Sequence, residues 1–186
     1  MKTDIKKYDF KKDLPIQIEV MDLSSLMLKH NRSITIPHRT NFYHIFLFYN
    51  CQPTHIVDFN PIKIKSNSML FVNKNNVHLF DKSSKYEGRV LIFTDDFFCK
   101  TENNRTFLHS TIVFNDLFTV STIQLEKSKK EFIDLFDAIE KELKNETDKN
   151  QHDILRNHVH NLLLIAERLK RKQGFTELKK GANLDY

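Results

Sequence analysis

Seven short segments in the first 93 residues have the composition of β-strands, and this pattern constrains the fold more than any other feature. Each segment is rich in β-branched or aromatic residues, and Asn, Ser, Pro or Lys separate most of them. Many short strands joined by polar turns are typical of an antiparallel sandwich or barrel. The segments are IQIEV (16–20), SITI (33–36), FYHIFLFY (42–49), THIVDF (54–59), SMLFV (68–72), VHLF (77–80) and RVLIF (89–93).

Glycine is rare in the chain, which contains only Gly88, Gly174 and Gly181. Three glycines at these positions form neither a P-loop nor a dinucleotide-binding fingerprint, so those two classes of phosphate site are excluded. Asparagine tolerates positive φ better than most residues do and replaces glycine at the predicted turns. These asparagines are Asn50, Asn67, Asn75 and Asn76.

The pattern becomes helical after residue 93. Thr94 precedes DDFFCK and is a suitable N-cap for a short helix. Residues 126–146 and 152–172 then carry apolar side chains at three- and four-residue steps, with the polar break NETDKNQ between them. The second helix is apolar around more than one face, so one face can cover the sheet while another contacts a second copy of the chain. The predicted dimerisation residues are Leu155, Val159, Leu162, Leu163, Ala166 and Leu169.

Length and charge indicate one neutral domain with basic ends. The chain has 186 residues and a net charge of +5, and the excess lies in residues 1–13 and 164–186. This distribution does not resemble the basic stripe of a nucleic-acid-binding face. Cys51 and Cys99 favour a reducing compartment, and no apolar stretch reaches membrane-spanning length. We therefore expect a cytoplasmic protein without a membrane partner.

Histidines in the β region are the candidate functional residues. His38, Thr40 and His44 have the same parity and would share one face of the sheet, and His78 lies in a strand that can pair back across a barrel. Three imidazoles with an open position suit a catalytic divalent metal. Neutral histidines on an inner face equally suit the wall of a ligand pocket. Phe46 and Phe48 continue the parity of His44 and would supply apolar wall beside the polar groups.

Four motifs resemble, in the same order, the sensor domain of AraC-family transcriptional regulators, most closely those of Bacteroidetes-type bacteria. The likeness covers roughly residues 30 to 172. It implies a cupin fold, a double-stranded β-helix or jelly-roll barrel that is mainly β, followed by two antiparallel α-helices. The motifs are PHRTNFYHIFLF, THIVDF, PIKIKSNSMLFVNKNNVHLF and EGRVLIFTDDFF.

The resemblance also implies that the barrel binds a small molecule without a metal or other cofactor. Enzymes related to this family hold a metal with His-x-His, a following Glu and a distant His. In this chain His38 and His78 match the first and last of these ligands, whereas Thr40 replaces the second His and His44 replaces the Glu. The resemblance therefore implies a regulator and not an enzyme, with effector contacts from His38, Thr40, His44, Phe46, Phe48 and His78.

The domain organisation expected on this basis has four parts. Residues 1–30 form an N-terminal arm, residues 31–124 the effector-binding barrel, and residues 125–172 the helical segment for homodimerisation. Residues 173–186 form a linker toward a helix-turn-helix DNA-binding domain that is outside this chain. Two alternatives remain open: a small metal-dependent cupin enzyme or metal-binding protein that uses His38, His44 and His78, and a dimerisation module whose barrel is filled by aromatic side chains.

Overall fold

Two five-stranded sheets packed face to face form the centre of the fold. The computed structural model describes residues 5–117 and 119–182, and side chains as far as Gly174. The first sheet has the strand order β1-β3-β8-β5-β6, and the second has the order β10-β7-β4-β9-β2. The strands of the second sheet are antiparallel, whereas β1 runs parallel to β3 in the first. The strands are β1 (Lys6–Tyr8), β2 (Ile18–Asp22), β3 (His38–Thr40), β4 (Tyr43–Phe48), β5 (Thr54–Val57), β6 (Asn60–Lys63), β7 (Ser68–Val72), β8 (His78–Phe80), β9 (Gly88–Phe93) and β10 (Ser121–Gln124).

Helices cover the two sides of the sandwich differently. One helix precedes β3 and packs against the region between the sheets, while the others follow β9 and cover the far face of the second sheet. The helices are α1 (Leu23–Ile34), α2 (Asp95–Phe98), α3 (Glu102–Ser110), α4 (Ile112–Asn115), α5 (Lys129–Lys144) and α6 (Gln151–Ala182). No helix in the described ranges combines the length and the apolar character needed to cross a membrane.

The second sheet is buried on both faces because each face has its own hydrophobic core. All six residues of β4 are buried. Alternation along the strand sends Tyr43, Ile45 and Leu47 into what we call the outer core, under α5 and α6. It sends Phe46 and Phe48 into what we call the inner core, between the two sheets.

Arg89 fixes α5 on the second sheet. Its guanidinium lies beside Tyr49, donates a hydrogen bond of 2.6 Å to Asp137, and also pairs with Glu140. The same group lies 5.2 Å from the centre of the Phe136 ring, within the range of a cation–π contact. Arg89 on β9 thus links the second sheet to both charged and aromatic side chains of α5.

One predicted strand is wrong. Residues 33 and 34 of the SITI segment are the last turn of α1, and residues 35–37 are in neither helix nor strand. The helix begins at Asp22, whose carboxylate accepts a hydrogen bond of 2.7 Å from the backbone N–H of Ser25. This N-cap starts a helix whose twelve residues continue through the apparent β pattern.

The other six predicted strands contain observed strands, but the mainly β expectation holds only in part. Helices contain 43% of the residues and strands contain 25%. The predicted strand 54–59 ends at Val57, because Asp58 and Phe59 have positive φ and turn the chain into β6. Positive φ at Asn67 and Asn75 confirms that asparagine replaces glycine at these two turns.

The predicted C-terminal helices are confirmed, and the second is longer than expected. Thr94 caps α2 as predicted, because its hydroxyl accepts a hydrogen bond from the N–H of Phe97. Helix α6 continues to Ala182 and so includes residues 173–182, which the sequence analysis assigns to a linker. Residues 183–186 of the predicted linker lie outside the described residues.

Candidate functional site

A cavity of about 270 Å³ lies between the two sheets at the end where α1 covers them. Its wall combines aromatic and aliphatic side chains with several imidazoles. Its size is slightly below the range of about 300–1,000 Å³ that is usual for pockets holding drug-sized ligands. Five of the six predicted effector residues line it: His38, Thr40, His44, Phe46 and His78.

Phe48 does not line this cavity. It is completely buried farther along the inner core, where its ring stacks on Phe46 and lies near Tyr86. Phe48 therefore supports the cavity wall through Phe46.

Four buried histidines from four strands meet between the sheets, and we call them the histidine cluster. His38 on β3 and His78 on β8 are directly opposite each other in the antiparallel register. His44 comes from β4 of the other sheet, and its ring centre is 4.6 Å from that of His78. His55 on β5 completes the cluster, with its Nε2 atom 3.2 Å from Nδ1 of His78.

Burial keeps the cluster neutral. Desolvation lowers the pKa of His44 and His78 well below the ordinary value, and the neighbouring imidazoles lower both further. Desolvation lowers the pKa of His55 to about 3, and it also lowers the pKa of His38. A neutral imidazole carries one N–H donor and one bare acceptor nitrogen, so the four rings offer matched donors and acceptors.

The hydrogen bond of His38 fixes its tautomer. Its Nδ1 atom is 2.8 Å from the carbonyl oxygen of Ile36, which can only accept. Nδ1 must therefore carry the proton, and Nε2 of the neutral ring is an acceptor. The polar tip of His38 can bind a donor from a ligand but not an acceptor.

The His55–His78 pair presents one donor and one acceptor in either of its two neutral arrangements. If Nε2–H of His55 donates to His78, then Nδ1 of His55 is bare and Nε2 of His78 carries a proton. If Nδ1–H of His78 donates instead, the roles of the two remaining nitrogens reverse. These two nitrogens, Nδ1 of His55 and Nε2 of His78, are buried without a hydrogen-bond partner in the described structure.

A third unpartnered nitrogen is Nδ1 of His44. The ring of His44 lies between those of Phe42 and Phe46, with centre separations of 4.9 and 5.7 Å. Buried polar atoms are hydrogen-bonded in most proteins, and each exception costs about 1–3 kcal/mol. Three such nitrogens thus lie in one cluster, and the rings of His44 and His78, but not that of His55, line the cavity.

Thr40 contributes less than its position suggests. Its hydroxyl donates a hydrogen bond of 2.9 Å to the backbone carbonyl of Phe42, which holds the turn between β3 and β4. The Thr40 hydroxyl is therefore already used in the local backbone structure and can only accept from a ligand.

Residues of the predicted N-terminal arm form one side of the cavity. Strand β1 extends the first sheet beside β3, strand β2 extends the second beside β9, and α1 follows β2. Phe10, Met21 and Leu26 add apolar wall to the cavity. Residues 5–30 are thus part of the sandwich as well as a cover for its interior.

Glu19 on β2 adds a carboxylate that the parity argument on residues 38–44 did not include. One carboxylate oxygen pairs with Lys11 at 2.9 Å, while the other is buried without a partner. Both residues line the cavity. The ion pair offsets the charge of Lys11 and leaves a second acceptor facing the interior.

The structure does not bring the barrel histidines into a metal-binding arrangement. Within the described ranges, one group of three ligating side chains has donor atoms within 4.8 Å of one another, and it consists of Asp95, Cys99 and His109. His38, His44 and His78 do not converge in this way. A metal held by these three histidines would require their rings to move.

The predicted dimerisation residues lie inside the chain. Five of them are completely buried in the outer core, and Leu169 is partly buried against it. They cover the second sheet and are not exposed to a partner: Leu155, Val159, Leu162, Leu163 and Ala166.

Sequence reasoning missed Glu19 and gave His55 only as a possible extra ligand that no spacing supports. His55 and Val57 are buried at alternate positions of β5, so strand parity could have placed His55 inside. Its contact with His78 depends on the β5–β8 register, which joins residues 23 positions apart. Glu19 shares parity with Met21 on β2, and the assignment of residues 1–30 to an arm concealed this signal.

No protein-family model matches this chain, and no curated protein matches it.

Proposed function

We propose that this chain is the effector-sensing and dimerisation part of an AraC-type transcriptional regulator, with a small molecule bound in a cupin-type barrel. The observation that carries the binding function is an apolar cavity lined by His44 and His78, each of which has a ring nitrogen without a hydrogen-bond partner. The regulator assignment rests on the four sequence motifs together with a sandwich followed by two long helices. In this proposal the domain acts by binding and not by catalysis.

The lining favours a neutral or cationic ligand that carries hydroxyl or amine donors. His38 offers an acceptor nitrogen, and Glu19 offers a carboxylate oxygen. Among the described lining residues, the cationic group that accompanies them is Lys11, which already pairs with Glu19. A carboxylate or phosphate ligand would therefore have neutral imidazoles and an already paired Lys11 beside it, and its desolvation would be costly.

A thermal-shift screen tests this proposal. Small neutral alcohols, polyols, phenols and amines should include compounds that raise the unfolding temperature, because binding only to the folded state stabilises it. His38→Leu should abolish that shift, since it removes the fixed acceptor. His160→Leu is the matched control, because His160 packs on Phe98 and Phe107 away from the cavity. Shifts confined to carboxylates, or unchanged in His38→Leu, would contradict the proposal.

Dimerisation is proposed to use the exposed side of the C-terminal helices. Ile154 and Leu164 on α6 are 37% and 46% exposed, whereas Leu162 on the same helix is completely buried. The α5 side chains Leu135 and Ala138 border His158 and Asn161 on this side. A second copy would cover this surface without disturbing the outer core.

Sedimentation equilibrium tests the dimer. Leu164→Glu should convert the dimer to a monomer. Because Leu164 lies outside the outer core, the denaturant midpoint for unfolding of the monomer should stay nearly the same as in the wild type. Leu162→Glu should prevent folding because it buries a charge in the outer core. A dimer that survives Leu164→Glu and Ile154→Glu would place the contact elsewhere.

The DNA contact and the compartment belong to the same proposal. A helix-turn-helix domain elsewhere in the intact regulator would read DNA. Both cysteines are free, which agrees with a cytoplasmic location. Continuation of the reading frame past Tyr186 into a helix-turn-helix sequence tests this part.

Metal binding by His38, His44 and His78 is a second candidate, since unpartnered ring nitrogens are potential ligands. Elemental mass spectrometry of untagged protein distinguishes the two candidates. Near-stoichiometric metal that is lost in His44→Ala would favour the metal, and its absence together with a ligand-induced shift would favour the sensor.

A further inference from the structure

A second cluster of chemically active side chains lies on the helical side of the second sheet, away from the cavity. Asp95 is the first residue of α2, Cys99 follows the end of that helix, and His109 is near the end of α3. Their donor atoms lie within 4.8 Å of one another. The cluster offers oxygen, sulfur and nitrogen from three side chains of different chemistry.

Local structure brings these groups together. The backbone N–H of Cys99 donates to the carbonyl of Asp95 at 2.7 Å, so the two side chains lie one turn apart on the same face. Thr94 caps α2 and Thr101 caps α3, and these N-caps set where the two consecutive helices begin. His109 then reaches back to the carboxylate of Asp95.

The two separations that involve Asp95 are close to those of a tetrahedral zinc site. Oδ1 of Asp95 is 3.3 Å from Nε2 of His109 and 3.9 Å from Sγ of Cys99. Zinc distances of about 2.0–2.1 Å to N and O and about 2.3 Å to S imply tetrahedral edges of about 3.3 Å for N–O and about 3.5 Å for S–O. The first edge already matches, and the second needs a shift of a few tenths of an ångström.

We propose that Asp95, Cys99 and His109 form a binding site for Zn²⁺ or a similar borderline-soft divalent cation. A mixed thiolate, imidazole and carboxylate set suits Zn²⁺ and Co²⁺, whereas Mg²⁺ and Ca²⁺ prefer oxygen alone. On binding, the cation displaces the proton of the Cys99 thiol, and His109 keeps its proton on Nδ1 so that Nε2 can coordinate. Two anionic ligands neutralise the dication, and the fourth position remains open to water or a small anion.

The surroundings support a cation site and also provide a competitor. The hydroxyl of the buried Tyr43 donates to Oδ1 of Asp95 at 3.1 Å and orients the carboxylate, as outer-shell groups do in metal sites. His109 is 46% exposed, so an ion can enter from solvent. The ammonium of Lys74 pairs with the other oxygen of Asp95 and would oppose the dication.

The proposed site is separate from the cavity but shares a strand with it. Tyr43 points into the outer core, while its neighbour His44 faces the inner core. A cation at Asp95 and the proposed effector thus lie on opposite faces of β4. The proposal does not depend on effector binding.

Titration of the full chain with Co²⁺, followed by absorption spectroscopy, tests the site. We expect a sulfur-to-cobalt charge-transfer band and intense tetrahedral d–d bands that saturate at one ion per chain, and Zn²⁺ should displace them. A phosphine reductant keeps the thiols reduced without adding a competing thiol. Cys99→Ser should abolish the charge-transfer band, and Tyr43→Phe should weaken binding about tenfold.

Two controls and one gain of affinity distinguish a metal site from a hydrogen-bonded cluster. Cys51→Ser and His44→Ala should leave the spectrum unchanged, because Cys51 is buried beside Glu87 and His44 lies in the cavity wall. Lys74→Met should tighten Co²⁺ binding several-fold, which a merely structural role of Lys74 would not produce. No charge-transfer band in the wild type, or a band that survives Cys99→Ser, would overturn the proposal.

Discussion

The two faces of the second sheet are built from alternate residues of the same strands, yet they differ in polarity and in packing. On the outer face Tyr43, Ile45 and Leu47 are covered by helices, and the Tyr43 hydroxyl has a partner in Asp95. On the inner face His44 borders a cavity, and its Nδ1 atom has no partner. The outer face therefore contributes more to folding stability, while unpartnered imidazole nitrogens reduce the contribution of the inner face.

The largest effect expected from this difference is a loss of stability at mildly acidic pH. The pKa values of His44, His55 and His78 are lowered in the folded state, so the unfolded chain binds more protons below its ordinary imidazole value. Stability is complete above about pH 6.5 and falls as the pH decreases below it. At pH 5.5 the three groups together should cost on the order of 4 kcal/mol. Urea unfolding between pH 7.5 and 5.5 measures this loss.

The histidine cluster should account for most of this pH dependence. His44→Leu removes one of the four clustered histidines whose pKa is lowered in the folded state, so the slope of stability against pH should fall by about one quarter to one third. Phe42→Leu, which changes the cavity wall without removing a titratable group, should leave the slope unchanged. An equal slope in both variants would show that groups outside the cluster destabilise the protein in acid.

Truncation in the outer core should have the next largest effect. Phe136 on α5 is completely buried between the sheet and α6. Phe136→Ala should lower the free energy of unfolding by about 3–5 kcal/mol, because it removes packing and leaves a cavity. Denaturant unfolding provides the measurement. Phe42→Ala, which truncates a side chain of the cavity wall, should cost less. If Phe136→Ala lowered the free energy of unfolding by less than Phe42→Ala, the proposed difference between the two faces would be contradicted.

Removing Arg89 should have an intermediate effect. Its side chain is 12% exposed and pairs with two carboxylates that are themselves 60% and 32% exposed. Arg89→Met keeps much of the apolar volume and leaves Asp137 and Glu140 partly hydrated, so we expect a loss of about 1–3 kcal/mol. Lys130→Met is the control, because Lys130 forms an exposed pair with Asp134 on the same helix. Equal losses in both variants would contradict the assigned role of Arg89.

The smallest effect on stability should come from a change in the cavity wall. His44→Leu replaces an imidazole that has an unpartnered nitrogen with an apolar side chain of similar size. The free energy of unfolding at pH 7.5 should stay the same or rise by up to about 1 kcal/mol, while the ligand-induced thermal shift disappears. A loss of several kcal/mol would show that His44 is structural.

Strand parity predicted much of the cavity, and the errors have identifiable causes. Parity placed His38, Thr40, His44 and Phe46 correctly because all these residues lie in regular β segments. The prediction that Phe48 lines the cavity was wrong, because parity gives the face of a strand but not the point along the strand where a cavity ends.

Nonlocal information explains the remaining differences. The SITI segment has a β pattern over only four residues, and the helix that starts at Asp22 continues into it. The stripe on α6 indicated burial correctly, but periodicity alone did not tell whether the sheet or a second chain covers it. The approach of His55 to His78 required the register of two distant strands.

Nitrogen NMR of the imidazole side chains is the most direct test of the cavity as a small-molecule site. At pH 7.5, long-range ¹H–¹⁵N spectra should show neutral rings for all four clustered histidines, with His38 protonated on Nδ1. A compound that raises the unfolding temperature should move the Nε2 resonance of His38 toward that of a hydrogen-bonded acceptor and shift His78, with His160 unchanged. Charged or metal-bound imidazoles in the free protein, or a stabilising compound that leaves His38 and His78 unchanged, would contradict the account.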